Sequence, residues 1–273
     1  MTERYGKLFG ELKKNSEGAF NPFVMLGDPG MDESEAIIET LIEGGVDALE
    51  LGIPFSDPTA DGPVIQAAAN RALEKGATPD KCLDVLANVR KKHQEIPMGL
   101  LVYANQVLGR GAERFYKRAS ESGVDSVLVA DVPVISSGGF VRYAQGAGIA
   151  PVFVVPPNAD DDKLREIAGL TKGYTYFLGR AGVTGADREM ETPVSSKISL
   201  LKEAGAPPVV VGFGISRPEH VKLSLEAGAD GAIAGSATVA IIAANLGDAK
   251  KTRDELLKFV KSLKAATRKI VTR

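Results

Sequence analysis

The feature that most limits how this chain can fold is a unit repeated along its whole length. A short Val/Ile/Leu-rich run is followed by a Gly- or Pro-bearing loop and then by a stretch with apolar residues at helical spacing. Eight such runs lie near residues 20–26, 46–53, 97–103, 124–130, 149–155, 174–178, 208–212 and 230–234. Most are nearly continuous in apolar residues, as strands covered on both faces are. Between them, Ser34 to Ile42 has a helical pattern behind Asp32, which reads as its cap. Leu83, Val85, Leu86 and Val89, and then Leu164, Ile167 and Ala168, repeat that pattern.

No hairpin dipeptide joins adjacent runs, so the spacing predicts an all-parallel sheet. Eight strand–helix units close into an α/β (β/α)8 barrel, the TIM barrel. An open doubly wound sheet is the rival. It would want Gly-x-Gly-x-x-Gly after the first strand, where the chain has Leu26-Gly27-Asp28-Pro29-Gly30. The long interval between the second and third runs reads as two helices divided at Thr78-Pro79. A further helix, Glu3 to Lys14, is expected under the barrel's N-terminal end, with residues 1–273 forming one domain.

Composition narrows the function classes. With 33 Lys+Arg against 35 Asp+Glu the formal net charge is -2, which argues against a general nucleic-acid binder. Cys82 is the only cysteine, so no internal disulfide is possible. The stretch Met1-Thr2-Glu3-Arg4-Tyr5 is polar, unlike a signal peptide, and no apolar run approaches the ~18 residues of a membrane span. A cytoplasmic location is expected, without membrane contact. Residues 258–273 hold six basic and no acidic side chains, and Leu256, Phe259, Val260 and Leu263 form an apolar stripe leading into them. That reads as a docking helix with a solvated basic face.

Chemistry in such a barrel sits at the C-terminal ends of the strands. Those positions are Asp28, residues 50–61, 103–105, Asp131, 156–158, 180–185, 212–214 and 235–236. They include no lysine for a Schiff base. His93 and His220 fall in helical patterns, so a histidine-built metal site is not expected. Cys82 is mid-helix and reads as packing. Carboxylates and backbone amides remain. Alternation turns Ala48, Glu50 and Gly52 into the barrel and Leu49 and Leu51 toward the helices. A glutamate in such apolar company should have a raised pKa, as either a buried ion-pair partner or a general acid/base. Asp61, before Gly62-Pro63, reads by itself as a turn or helix-cap residue rather than a functional one. Gly212-Phe213-Gly214 and Gly235-Ser236 would let backbone N–H groups and a helix N-terminus approach a phosphate. Residues 180–185, Arg-Ala-Gly-Val-Thr-Gly, suit a lid.

The segments 22–30 (PFVMLGDPG), 50–63 (ELGIPFSDPTADGP), 129–133 (VADVP), 180–185 (RAGVTG) and 212–216 (GFGIS) closely resemble the tryptophan synthase alpha chain family, a likeness running from Glu3 to the end. The resemblance implies a carbon–carbon lyase of tryptophan biosynthesis. Its reaction is retro-aldol cleavage of indole-3-glycerol phosphate to indole and glyceraldehyde 3-phosphate. It implies no cofactor in this chain and a beta-chain partner carrying pyridoxal phosphate in an alpha2beta2 heterotetramer, in the cytoplasm or a plastid stroma. Carried over by motif, Glu50 and Asp61 are the catalytic pair, and Thr184 and Arg180 belong to the lid. Gly185, Gly214, Gly235 and Ser236 form the phosphate cradle. Phe23, Leu101, Tyr103, Ala130, Val154, Tyr176 and Phe213 form the indole-side wall. The chain departs from the family pattern at Met25, where threonine is common, at Gly179, commonly serine, and at Leu108-Gly109, commonly a larger pair. A barrel isomerase acting on a phosphorylated sugar, or a non-catalytic regulator of a partner chain, would use the same cradle without releasing indole.

Overall fold

A computed structural model describes residues 3–179, 194–212 and 214–268. The strands are β1 (Ala19–Met25), β2 (Leu49–Gly52), β3 (Met98–Val102), β4 (Ser126–Val129), β5 (Ala150–Val152), β6 (Val154–Val155), β7 (Thr175–Leu178), β8 (Val209–Gly212) and β9 (Gly231–Ala234). The helices are α1 (Glu3–Lys14), α2 (Met31–Glu43), α3 (Pro63–Glu74), α4 (Pro79–Lys92), α5 (Ala104–Leu108) and α6 (Ala112–Glu121). They continue with α7 (Gly138–Gly146), α8 (Asp161–Leu170), α9 (Val194–Glu203), α10 (Pro218–Glu226), α11 (Ser236–Ala244) and α12 (Ala249–Ala265).

The strands pair in parallel in the order β5-β4-β3-β2-β1-β9-β8-β7-β6. Because β5 and β6 are two halves of one extended segment interrupted at Phe153, the sheet is a ring of eight: the TIM barrel expected from the repeat. The interruption is a departure from the continuous fifth strand read at 149–155. The lower half pairs with β4, Leu128 opposite Val152, and the upper half with β7, Val154 opposite Tyr176. Phe153 packs outward with Val155, Leu164 and Ile167 under α8.

Period-two alternation sorts the strand side chains into an inside and an outside. Ala19, Ala48, Leu128, Val152, Tyr174, Val210 and Ile233 fill the barrel interior. Leu49, Leu51, Leu100 and Val127 face the helix layer. Helix α1 closes the N-terminal end: the Tyr5 ring packs tilted against Tyr174, with ring centroids 5.5 Å apart, and its hydroxyl lies 2.9 Å from the Ser126 hydroxyl. Gly99 is inward-facing beside them, and a Cβ there would stand 2.7 Å from Ser126 Oγ, so the floor is packed to contact.

The interval between β2 and β3 holds two helices, as read. Thr78 caps α4 by accepting from Lys81 N–H at 3.3 Å, with Pro79 in its first turn. Asp32 is not the cap of α2. That position is Gly30, and Asp32 lies in the first turn, where a carboxylate still meets the helix dipole favourably. The C-terminal stripe docks as expected: Leu256, Val260 and Leu263 of α12 are buried, and Lys264 reaches back to Asp47 at 2.8 Å.

Candidate active site

Glu50 sits in β2 between Leu49 and Leu51, opposite Phe23 of β1 and Gly99 of β3. Its side chain turns inward and the residue is 3% exposed. Its carboxylate accepts one hydrogen bond, from the Tyr174 hydroxyl, at 2.5 Å to Oε1. Burial pushes the Glu50 carboxyl up to about 7, opposed only in part by that hydrogen bond. Among the described residues no cation lies within ion-pair distance of it. Of the two readings left open for Glu50, the structure thus provides no ion-pair partner among those residues.

Asp61 lies on the loop that joins β2 to α3. The N-cap of α3 is Gly62, one residue on. Burial raises the pKa of the Asp61 carboxyl, and the Tyr103 hydroxyl beside it works in the opposite direction. Tyr103 also accepts Ala60 N–H at 3.2 Å and stacks on Phe55, with centroids 5.3 Å apart. The Tyr176 phenol is pushed well up by burial and then by the charges of both Glu50 and Asp61, so its hydroxyl lies in the field of the two carboxylates. A Cβ on Gly212 would fall 2.2 Å from that hydroxyl, so the Tyr176 ring lies flat over a bare stretch of β8. Across the barrel, Gly52 gives the same room to Phe23 and Met25: a Cβ there would meet the Phe23 ring at 2.6 Å and the Met25 methyl at 3.1 Å.

Above the filled interior, Leu101, Ala130, Val154 and Tyr176 pack on the interior cluster but are only partly covered. They line an open apolar mouth at the C-terminal strand ends, with Phe23 and Tyr103 buried beside it. Between Tyr176 and Phe23 around the ring, Gly235 is the N-cap of α11, with Ser236 opening that helix, and Gly214 has φ +77°. Gly214 therefore occupies the left-handed region that favours glycine. These positions bring one helix N-terminus and two bare backbone segments to the same rim. Arg180, Thr184, Gly185 and Phe213 lie outside the described residues.

Two sequence candidates have structural partners. The Asp28 carboxylate is fully buried and takes a bidentate pair from Arg71 of α3, at 2.7 and 2.9 Å. Asp131 accepts Ala104 N–H at 2.8 Å. His93 ends α4 against Glu39 at 2.6 Å, and Cys82 is buried in α4, its thiol pushed up to about 12 by burial. Among the described residues no three His, Cys, Asp or Glu side chains cluster as metal ligands. Tyr174 was missed by the motif reading. The signal available was its spacing from Tyr176, which alternation turns to the same inner face.

The family model described as tryptophan synthase alpha chain matches residues 9–268. The tryptophan synthase alpha chain of Shewanella amazonensis is 56% identical over 264 residues, covering 97% of this chain and 99% of the relative. That of Escherichia coli O127:H6 is 55% identical over 267 residues, covering 98% and 100%. A solved structure concerning mutual activation of the tryptophan synthase a2b2 complex of Pyrococcus furiosus superposes with a TM-score of 0.83 at 35% identity, covering 91% of this chain and 98% of that one. With its barrel and this likeness over nearly its full length, the chain belongs to the tryptophan synthase alpha chain family.

Proposed function

We propose that Glu50 and Asp61 are the proton-handling pair with which this chain carries out its family's reaction. That reaction is the retro-aldol cleavage of indole-3-glycerol phosphate to indole and glyceraldehyde 3-phosphate. The observation that carries the assignment is a glutamate buried inside the barrel, bonded to the Tyr174 hydroxyl and with no cation beside it among the described residues, its carboxyl raised by burial to about 7. A group titrating near the working pH both gives and takes a proton efficiently. Glu50 protonates the indole carbon that bears the glycerol chain, while Asp61 takes the ring N–H proton. Glu50, now ionised, then removes the proton of the adjacent glycerol hydroxyl. The carbon–carbon bond breaks toward the ring, the aldehyde forms, and Asp61 returns its proton to nitrogen. Protons balance over the cycle, and no cofactor enters it. Pyridoxal phosphate belongs to the beta chain in this family.

Phe23, Leu101, Tyr103, Ala130, Val154, Tyr176 and Phe213 take the indole side. Gly214, Gly235 and Ser236, with Gly185, take the phosphate, and Thr184 and Arg180 belong to the lid. The barrel mouth also supports docking of a beta chain in an alpha2beta2 assembly. Leu108, the last residue of α5, and Ile135, in a 3-10 turn between β4 and α7, are large apolar residues 54% and 89% exposed at that end of the barrel. No helix among the described residues is long and apolar enough to cross a membrane. We take residues 1–273 as one domain working in the cytoplasm. Mixing the isolated chain with indole-3-glycerol phosphate and measuring indole release tests the assignment; no indole from folded protein, alone or with beta chain, refutes it.

A further inference from the structure

Gln106 is a buried polar side chain in a five-residue helix, and all of its amide is used. Nε2 donates to the carbonyls of Ile53 at 3.1 Å and Pro54 at 3.0 Å, while Oε1 accepts Tyr103 N–H at 3.0 Å. Ile53 and Pro54 open the loop that ends at Asp61. Tyr103 holds the far end of that loop through its hydroxyl, which accepts the N–H of Ala60, next to Asp61, at 3.2 Å. The turn after β3 thus grips the Asp61 loop at both ends, and one side chain fixes the near grip and the backbone of the residue making the far one. A surface loop of eight or nine residues has many backbone arrangements, and a carboxylate must be held within a fraction of an ångström of its reacting atom to be effective.

We propose that Gln106 is a positioning residue for Asp61, acting through Tyr103 and the Ile53–Pro54 carbonyls rather than by touching substrate. The inference rests on the assignment of Asp61 above. Removing the amide frees the near end of the loop and loosens the backbone of the residue that holds the far end, while leaving the phosphate rim and the apolar mouth in place. The cost falls on turnover, with little change in substrate affinity. The neighbouring Ala104 and Asn105 lie at the barrel mouth, so a beta chain pressing on this turn acts on the same linkage.

Gln106→Met keeps the length of the side chain and deletes every hydrogen bond. The expected result is a fall in kcat of about tenfold with KM for indole-3-glycerol phosphate within about twofold of the parent. Combined with Tyr103→Phe it should cost less than the product of the two single losses, because the two residues share one route to Asp61. A kcat loss below threefold in folded Gln106→Met, or full multiplicativity with Tyr103→Phe, overturns the proposal. If circular dichroism shows Gln106→Met unfolded, Gln106→Glu is judged by the same threefold limit, since an ionised glutamate cannot donate to either carbonyl. Asp61→Asn measured alongside separates the two levels. Normal turnover in Asp61→Asn breaks the assignment of Asp61, whereas crippled Asp61→Asn beside unimpaired Gln106→Met breaks only the role of Gln106.

Discussion

The Tyr174 hydroxyl donates to Glu50 Oε1 at 2.5 Å across the inside of the barrel, joining residues 124 positions apart in the chain. Tyr174 precedes β7 at the lower end of the barrel, so the bond draws the Glu50 carboxylate toward the floor, beneath the mouth. Burial raises the proton affinity of Glu50 and this bond lowers it again, which sets the poise of the group.

Glu50→Gln should lose about 10²–10⁴ in kcat, the usual worth of a general acid–base group, while phosphate-ligand affinity stays near that of the parent. Glutamine keeps the acceptor for Tyr174 but moves no proton. Steady-state kinetics with isothermal titration of glyceraldehyde 3-phosphate checks both halves, and a near-parental kcat removes Glu50 from the mechanism.

The same variant makes a stability prediction. The folded pKa of Glu50, about 7, lies above its unfolded value near 4.3. Between those values the native state holds a proton that the unfolded chain has released, so this group's contribution to stability falls as pH rises through the window. Glu50→Gln escapes that loss. It should match the parent's stability at pH 4 and exceed it at pH 8, by a free energy on the order of 3 kcal/mol that also raises the melting temperature. Calorimetry at the two pH values decides it.

Because Glu50 must carry a proton to begin the cycle, kcat should decline above about pH 7. Tyr174→Phe removes the hydrogen bond that favours the ionised carboxylate, so the alkaline limb should move to higher pH. A pH–rate profile of the variant with an unmoved limb would show that Tyr174 does not govern the titration.

The phosphate rim offers a contrast between two glycines. Among the described residues a Cβ at Gly235 would meet Phe23 Cβ alone, at 3.8 Å, and φ is −94°. Gly235→Val should therefore fold, yet raise the dissociation constant of glyceraldehyde 3-phosphate severalfold by covering the backbone donors. Gly214→Ala, at φ +77°, should instead lower the melting temperature, by about 1 kcal/mol of backbone strain. Unchanged phosphate affinity in folded Gly235→Val puts the anion elsewhere.

Ile135→Asp and Leu108→Asp should leave the isolated barrel's melting temperature within about a degree, since both side chains are exposed. Each should weaken association with a beta chain at least tenfold if they are interface anchors. Analytical ultracentrifugation with equimolar beta chain measures this, and unaltered complex formation by both variants moves the interface away from these two residues.

What the sequence made legible was local and periodic. Alternation correctly turned Glu50 inward and Leu49 and Leu51 outward, and Pro79 behind Thr78 marked the second helix of the long interval. Long-range pairings were not legible. Nothing near Asp28 announces Arg71, 43 residues away, and nothing near Gln106 announces the carbonyls of Ile53 and Pro54. The cap assigned to Asp32 failed because a carboxylate two residues inside a helix start has the same local pattern as one at the cap. Phe153 breaks the fifth strand although its segment is uniformly apolar, because the neighbours on its two sides pair with different halves of it.

That change of neighbours gives the barrel a collar with one unfastened joint. Above Leu128 and Val152, among the described residues, β4 and β6 share no ladder, and the seam between them opens into a cleft of about 420 Å³ lined by residues from Val129–Val134 and Val152–Val154. Every other joint around the rim would have to surrender paired N–H and C=O groups to spread. Here the circumference can grow without breaking a strand ladder, so the barrel's upper end yields first between the β4 loop and Pro156, with the carboxylate-bearing strand left in register.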